Sequence, residues 1–219
     1  MSKAYGAAPV ELGVYPVACS EMMMYQYLPI KLSGFTEITR EPRLVPFDSL
    51  IGAACCDFIG VYGLDRFVRS YVYLTAKHLF QGPGSTFNRQ GYHCDGFLTD
   101  DINYIWYSKT PTIFNLSRFE LSPDDSISMQ EMEFQAEERH ERSYQCATLL
   151  RLDQYCVHKV RLPKEAELRT FFKLSISGDK YDLEGNAHNH LLDYDWPMRK
   201  RSLVRNVPQQ LATASEGKP

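Results

Sequence analysis

The apolar positions of this chain change period along its length. Residues 47 to 62, FDSLIGAACCDFIGVY, are almost continuously small and apolar, with Asp48 or Ser49 placed to cap a helix and Gly63 to end it. This reads as a buried helix. Residues 71 to 80, YVYLTAKHLF, are rich in β-branched and aromatic types and predict a strand, broken by QGPGS at 81 to 85. INYIWY (102 to 107) and, after Pro111, TIFNL (112 to 116) predict two more. Ser122-Pro123-Asp124-Asp125 is a helix start, with a capping serine, proline in the first turn and carboxylates against the helix dipole; the charged helix it opens is expected to run to about Arg142. ATLLRL (147 to 152), YCVHKVRL (155 to 162) and LRTFFKLSIS (168 to 177) read as strands, with a turn at 163 to 167.

Strands therefore dominate the middle and the later half. The expected fold is mainly β with flanking helices, a sandwich or barrel. A single domain is expected over residues 1–208, with its sheet core at about 70–177, helical support at about 1–69 and a flexible polar tail at 209–219.

Composition agrees with a folded domain. The 219 residues are 44% apolar and 13% aromatic, enough for a sizeable core. A net charge of -3 argues against a chain built to coat a nucleic-acid backbone. The one basic cluster, Arg199, Lys200, Arg201 and Arg205, is expected to be a solvated segment balancing Asp193 and Asp195. The six cysteines form no C-x-x-C pair, and Cys55 and Cys56 are adjacent, a poor layout for a disulfide framework. No signal peptide and no membrane span is expected, which suits a reduced, cytoplasmic protein.

The candidate chemistry begins at His93-Cys94-Asp95. In extended backbone, residues two apart project to one face, so this imidazole and this carboxylate can address one ion. His158 lies in a strand-like segment, and Arg169 follows with ten residues between, on the next one. Two antiparallel strands joined by a short turn would bring both to one cavity. Two imidazoles and a carboxylate occupy one face of an octahedral ion and leave three positions open, as in non-haem Fe(II) oxygenases. A 2-oxo acid can fill two of them and O2 the third. An arginine fork suits the remote carboxylate of such a cosubstrate. Tyr104 and Trp106 alternate on one strand face and could line the pocket. His78 reads as a core or surface histidine, His140 as exposed, and His188-Asn189-His190 as a loop near the cavity mouth.

The run GYHCDGF followed by His158-x10-Arg169 resembles the Fe(II)/2-oxoglutarate-dependent dioxygenases. INYIWYSKTPTIFN is similar to their strand pair after H-x-D, and CATLLRLDQYCVHKV to their run into the distal histidine. The resemblance covers about residues 70 to 177. It implies a double-stranded β-helix, the jelly-roll or cupin-like core. It implies His93, Asp95 and His158 as ligands of Fe(II), and Arg169 as the partner of the C5 carboxylate of 2-oxoglutarate. Thr112 stands where several members place a hydroxyl near the cosubstrate, and Tyr104 is grouped with these cosubstrate contacts. The implied activity is hydroxylation with O2, releasing succinate and CO2. Phe171 departs from the serine many members carry two residues beyond the arginine. The carboxylate ligand argues against the halogenase variant. The substrate stays open among a small molecule, a nucleotide or nucleic-acid base, and a protein side chain; the short chain favours the first. A cupin-like binding protein without turnover is the alternative.

Overall fold

The computed structural model describes residues 4–201. Their centre is a six-stranded antiparallel sheet in the order β1-β7-β4-β9-β3-β2. These strands are β1 (Val10–Val14), β2 (Met23–Lys31), β3 (Tyr71–Gln81), β4 (Ile102–Tyr107), β7 (Thr148–Leu152) and β9 (Glu167–Ser177). A smaller antiparallel sheet orders β6 (Glu141–Ser143), β5 (Ile113–Asn115) and β8 (His158–Lys159), and His93 bridges to His158 at its edge. From β3 onward the chain passes back and forth between the two sheets.

The period-2 rule explains which side chains meet. On β4 and β9 the even positions Ile102, Tyr104, Trp106, Phe172, Leu174 and Ile176 enter one core cluster with the helical layer. The odd positions Ile105, Tyr107 and Phe171 enter a second cluster with Phe114 and Leu150, between the sheets. The helical layer is α1 (Asp48–Tyr62), preceded by a 3-10 turn at Pro42–Phe47, and α2 (Leu64–Arg69). Leu50, Ala54 and Phe58 are its buried stripe. Full burial of a Leu or Phe side chain stabilises by about 1.5–3 kcal/mol.

The stretch Pro42–Tyr62 is long and apolar enough to cross a membrane by length and composition, contrary to the expectation of no such segment. Here it is the 3-10 turn and α1; about a third of it is buried, and those residues pack into the core cluster of the large sheet. Asp57, in the second half of α1, accepts from Arg151 at 2.7 Å and from the Tyr104 hydroxyl at 2.8 Å.

Several expectations are corrected. Residues 1–69 are not helical support alone, because β1 and β2 extend both edges of the large sheet. The helix expected to reach Arg142 is α3 (Asp125–Gln135), after which Glu141–Ser143 pairs with β5. Sheet pairing outweighs local helix preference there. Its cap is Asp124, whose carboxylate accepts from the backbone of Ser126 and Ile127, whereas Ser122 binds Glu131. The strand expected over 155 to 162 shrinks to His158–Lys159, since Asp153 to Cys156 form a turn closed by Cys156 N–H donating to Asp153 O. The expected tail at 209–219 lies outside the described residues.

Candidate metal centre

The small sheet sets the site. His93 and His158 exchange both backbone hydrogen bonds at 2.9 Å, which holds their rings 4.6 Å apart. His93 Nδ1 lies 2.9 Å from the Gly91 carbonyl, and His158 Nδ1 lies 3.0 Å from the Cys156 carbonyl. A carbonyl can only accept, so each Nδ1 carries a proton, which leaves each Nε2 as the atom available to a metal. Supporting contacts of this kind fix the tautomer and aim of metal-binding histidines. One ligand atom each from His93, Asp95 and His158 lies within 4.8 Å of the others. Burial and the neighbouring His158 push the His93 imidazole down to about 3, so it stays neutral and able to ligate.

Asp95 is reached from the large sheet. Lys173 Nζ, on β9, sits 2.6 Å from Asp95 Oδ1, and Asp95 Oδ2 lies 3.6 Å from His158 Nε2. Burial alone would raise Asp95; the Lys173 ammonium, together with the His158 and His93 imidazoles, outweighs this and holds it well below the usual carboxylate range. The same contact raises Lys173 against its own burial. The pair is therefore ionised.

A cavity of about 810 Å³ opens over this centre. The three candidate ligands line it with Thr112, Lys77 and Lys173. Lys77 stands directly across from Phe171 in the β3–β9 ladder and donates to Phe87 O at 2.6 Å and Asn88 Oδ1 at 3.1 Å. No carboxylate pairs with it among the described residues. Burial, then Lys173, then Arg169 lower it to about 8.

The site residues expected from sequence fare differently. His93, Asp95, His158 and Thr112 meet at one cavity. Arg169 is buried at the start of β9, its Nε donating to Lys109 O at 2.9 Å and Nη2 to Thr110 O at 3.2 Å. Phe171 lies beside it, 5.3 Å from guanidinium carbon to ring centroid, and Arg169 is not in the cavity wall. Tyr104 is a correction: it and Trp106 point to the helical layer, where Tyr104 binds Asp57 and Trp106 Nε1 donates to Tyr15 O at 3.0 Å. Tyr104→Phe is accordingly expected to leave 2-oxoglutarate affinity unchanged while lowering stability by about 1 kcal/mol, the usual worth of one hydrogen bond, as read by urea titration.

Sequence reading missed Lys77 and Lys173. Their signal is the polar face of two otherwise apolar strands: Thr75 and Lys77 on β3, with Arg169, Lys173 and Ser175 on β9. It also missed Tyr27. A register shift in β2 between Tyr25 and Leu28 turns Tyr27 into the cavity with a φ of 49°. Such a bulge commonly re-aims a side chain next to a site. The basic cluster is a further correction. Arg199 pairs with Asp182, and Arg201 donates to Asn186 Oδ1 at 2.6 Å, so both border the cavity and neither balances Asp193 or Asp195. Arg205 lies outside the described residues. His188 and His190 meet edge to face away from the cavity wall, and Asn189 between them is buried against Pro29 O and Thr39 O. His78 is a core histidine facing Thr170 Oγ1 at 2.7 Å.

No protein-family model matches this chain, and no curated protein matches it. Among solved structures, one similar chain is "Crystal Structure of EvdO2 from Micromonospora carbonacea var. aurantiaca", at 8% identity and a TM-score of 0.38, covering 63% of this chain. This chain spans 60% of that one. A likeness at that level carries no argument about fold or chemistry.

Proposed function

We propose that this protein is an Fe(II)- and 2-oxoglutarate-dependent oxygenase. The observation that carries the reading is the His93, Asp95 and His158 cluster, with both Nε2 atoms available to a metal and an open cavity above them. The donor set suits a non-haem iron centre with open positions. Fe(II) held there would couple the oxidative decarboxylation of 2-oxoglutarate by O2, giving succinate and CO2, to hydroxylation of a substrate C–H bond. The alternation of strands between two facing sheets supports reading the core as a double-stranded β-helix. The six cysteines form no disulfide, which agrees with a reducing compartment, the cytoplasm.

The protein's own part is to bind, orient and screen. Lys173 pairs with Asp95 and, with the two histidines, keeps it ionised. Thr112 offers a hydroxyl at the cavity wall. The remote carboxylate of the cosubstrate goes to the cationic end, where Lys77 lines the cavity and Arg169 stands behind Phe171. Lys77→Met is expected to weaken 2-oxoglutarate binding at least about tenfold, more than Arg169→Ala does, by calorimetric titration. The affinity should also depend on pH. Lys77 in the free protein loses its proton near 8, and a bound carboxylate raises that value, so binding is full below about pH 8 and falls as pH rises through it. An affinity flat from about pH 7 to about pH 10 would remove Lys77 from the site.

The test of the activity is succinate release from 2-oxoglutarate under air with Fe(II), with and without candidate substrates. A second reading, a metal- and anion-binding protein without turnover, is favoured by the commitment of Arg169 to backbone carbonyls. Metal-loaded protein that binds 2-oxoglutarate and forms no succinate with any substrate class would support it.

A further inference from the structure

The same cavity carries two polar groups for which the metal centre has no use. Asp101 immediately precedes β4 and Asn103 is the second residue of that strand, so their side chains share the face turned to the small sheet. Asp101 is 4% exposed and Asn103 is 1% exposed, and both line the cavity. Asp101 Oδ2 accepts from the Tyr181 hydroxyl at 2.7 Å, while Oδ1 has no partner among the described residues. Asn103 Oδ1 accepts from the Ser175 hydroxyl at 2.6 Å, while Nδ2 has none. Turning the amide over would let Ser175 accept instead and would orphan the carbonyl, so one amide atom stays unpaired either way. Buried polar groups are nearly always hydrogen-bonded. Two orphans on buried side chains that line one cavity mark where the polar groups of a ligand arrive.

The place is next to the metal centre. Gly96 follows the candidate ligand Asp95 at a φ of +70°, and a Cβ there would lie 2.8 Å from Asp101 Cβ. The absence of a side chain at Gly96 lets Asp101 pack directly against that turn. Aromatic rings form a wall of the cavity. Tyr27 and Tyr181 both line it and meet edge to face at 5.2 Å, and Tyr73 stacks behind Tyr181 at 4.1 Å.

We propose that Asp101 and Asn103 form the substrate subsite of this cavity and bind a molecule carrying two neighbouring hydroxyls, as a sugar or polyol does, with Tyr27 and Tyr181 as its apolar wall. The chemistry selects hydroxyls. The carboxylate oxygen needs a donor, and the amide needs an acceptor or a donor according to its orientation. A hydroxyl supplies either; an ammonium supplies donors only, and it meets Lys77 and Lys173 in the same cavity. The role as substrate subsite rests on the oxygenase reading, whereas the binding itself does not.

The full chain, with and without Zn(II), is titrated with methyl β-D-glucopyranoside, methyl β-D-ribofuranoside and myo-inositol, followed by saturation-transfer NMR. The 2-deoxy glucoside and agmatine serve as contrasting probes. Saturable binding of at least one diol is expected, weakened about tenfold by removing one hydroxyl and about tenfold or more by Asn103→Ala and by Asp101→Asn. Asn103→Ala gives up one internal hydrogen bond, that from Ser175, so it remains informative should loss of the Tyr181 contact unfold the Asp101 variant. No saturable binding of any diol, tighter binding of agmatine than of every diol, or affinities unmoved by the folded variants overturns the proposal. The readout needs neither iron nor turnover, so a failure to form succinate would leave a positive result standing.

Discussion

His158→Ala is expected to abolish succinate formation and to weaken divalent-metal binding more than about 100-fold. That exceeds the 10–100-fold that loss of a mere supporting contact brings about. The fold should survive the change. The hydrogen bonds that join His158 to His93 run through the backbone, which alanine keeps; the ring gives up its contacts to His93 and Phe114, its bond to the Cys156 carbonyl and its approach to Asp95. Equilibrium dialysis with Mn(II), alongside circular dichroism, reads both. Unchanged metal affinity in folded His158→Ala would end the assignment of the triad.

Lys173→Met is expected to act differently, through stability. Asp95 and Lys173 are both largely buried, at side-chain exposures of 16% and 10%, and their contact is 2.6 Å. Removing one partner strands the other charge, which for buried pairs costs about 3–5 kcal/mol. Metal-free protein should lose about that much in urea titrations. Added Zn(II) should restore most of it, because the cation takes over the neutralisation of Asp95. A loss of the same size with and without metal would show that Lys173 does not answer to the metal site. The pH dependence has a definite sign. Asp95 is held below its ordinary 3.8, so the stabilisation is complete above that pH and is lost as pH falls towards the depressed value.

The parts of this architecture legible in sequence are those where one physical rule acts alone. β3, β4 and β9 carry dense β-branched and aromatic runs, and each was readable to within a residue or two. The helix at 48–62 followed from its small apolar run and Gly63. The proximity of His93, Asp95 and His158 was expected from strand alternation, but of His93 and Asp95 only His93 is in a bridge; Asp95 sits in the turn that follows, and the turn brings its carboxylate to the two rings. Tyr104 shows where the rule runs out. Every residue of β4 is buried, so alternation says which residues share a face but not which face meets the cavity. Polarity on neighbouring strands settles that: Lys77, Lys173 and Ser175 lie on the cavity face, whereas Phe172 and Leu174 lie on the helical one. Register, and so the meeting of Lys173 with Asp95 some 78 positions earlier, is a long-range property that no local window contains. The end of α3 at Gln135 is of the same kind, because β6 forms only where β5 is present to pair with it. Tyr27 depends on a bulge in β2, and its sequence, MMYQYLPIK, carries no glycine to announce one.

The central claim is that one centre holds Fe(II) and 2-oxoglutarate together. Its most direct test is the anaerobic absorption spectrum of the full chain with both added. The account predicts a weak visible metal-to-ligand charge-transfer band that needs both components and is missing in His158→Ala. Iron and 2-oxoglutarate that each bind, yet produce no such band together, would contradict it.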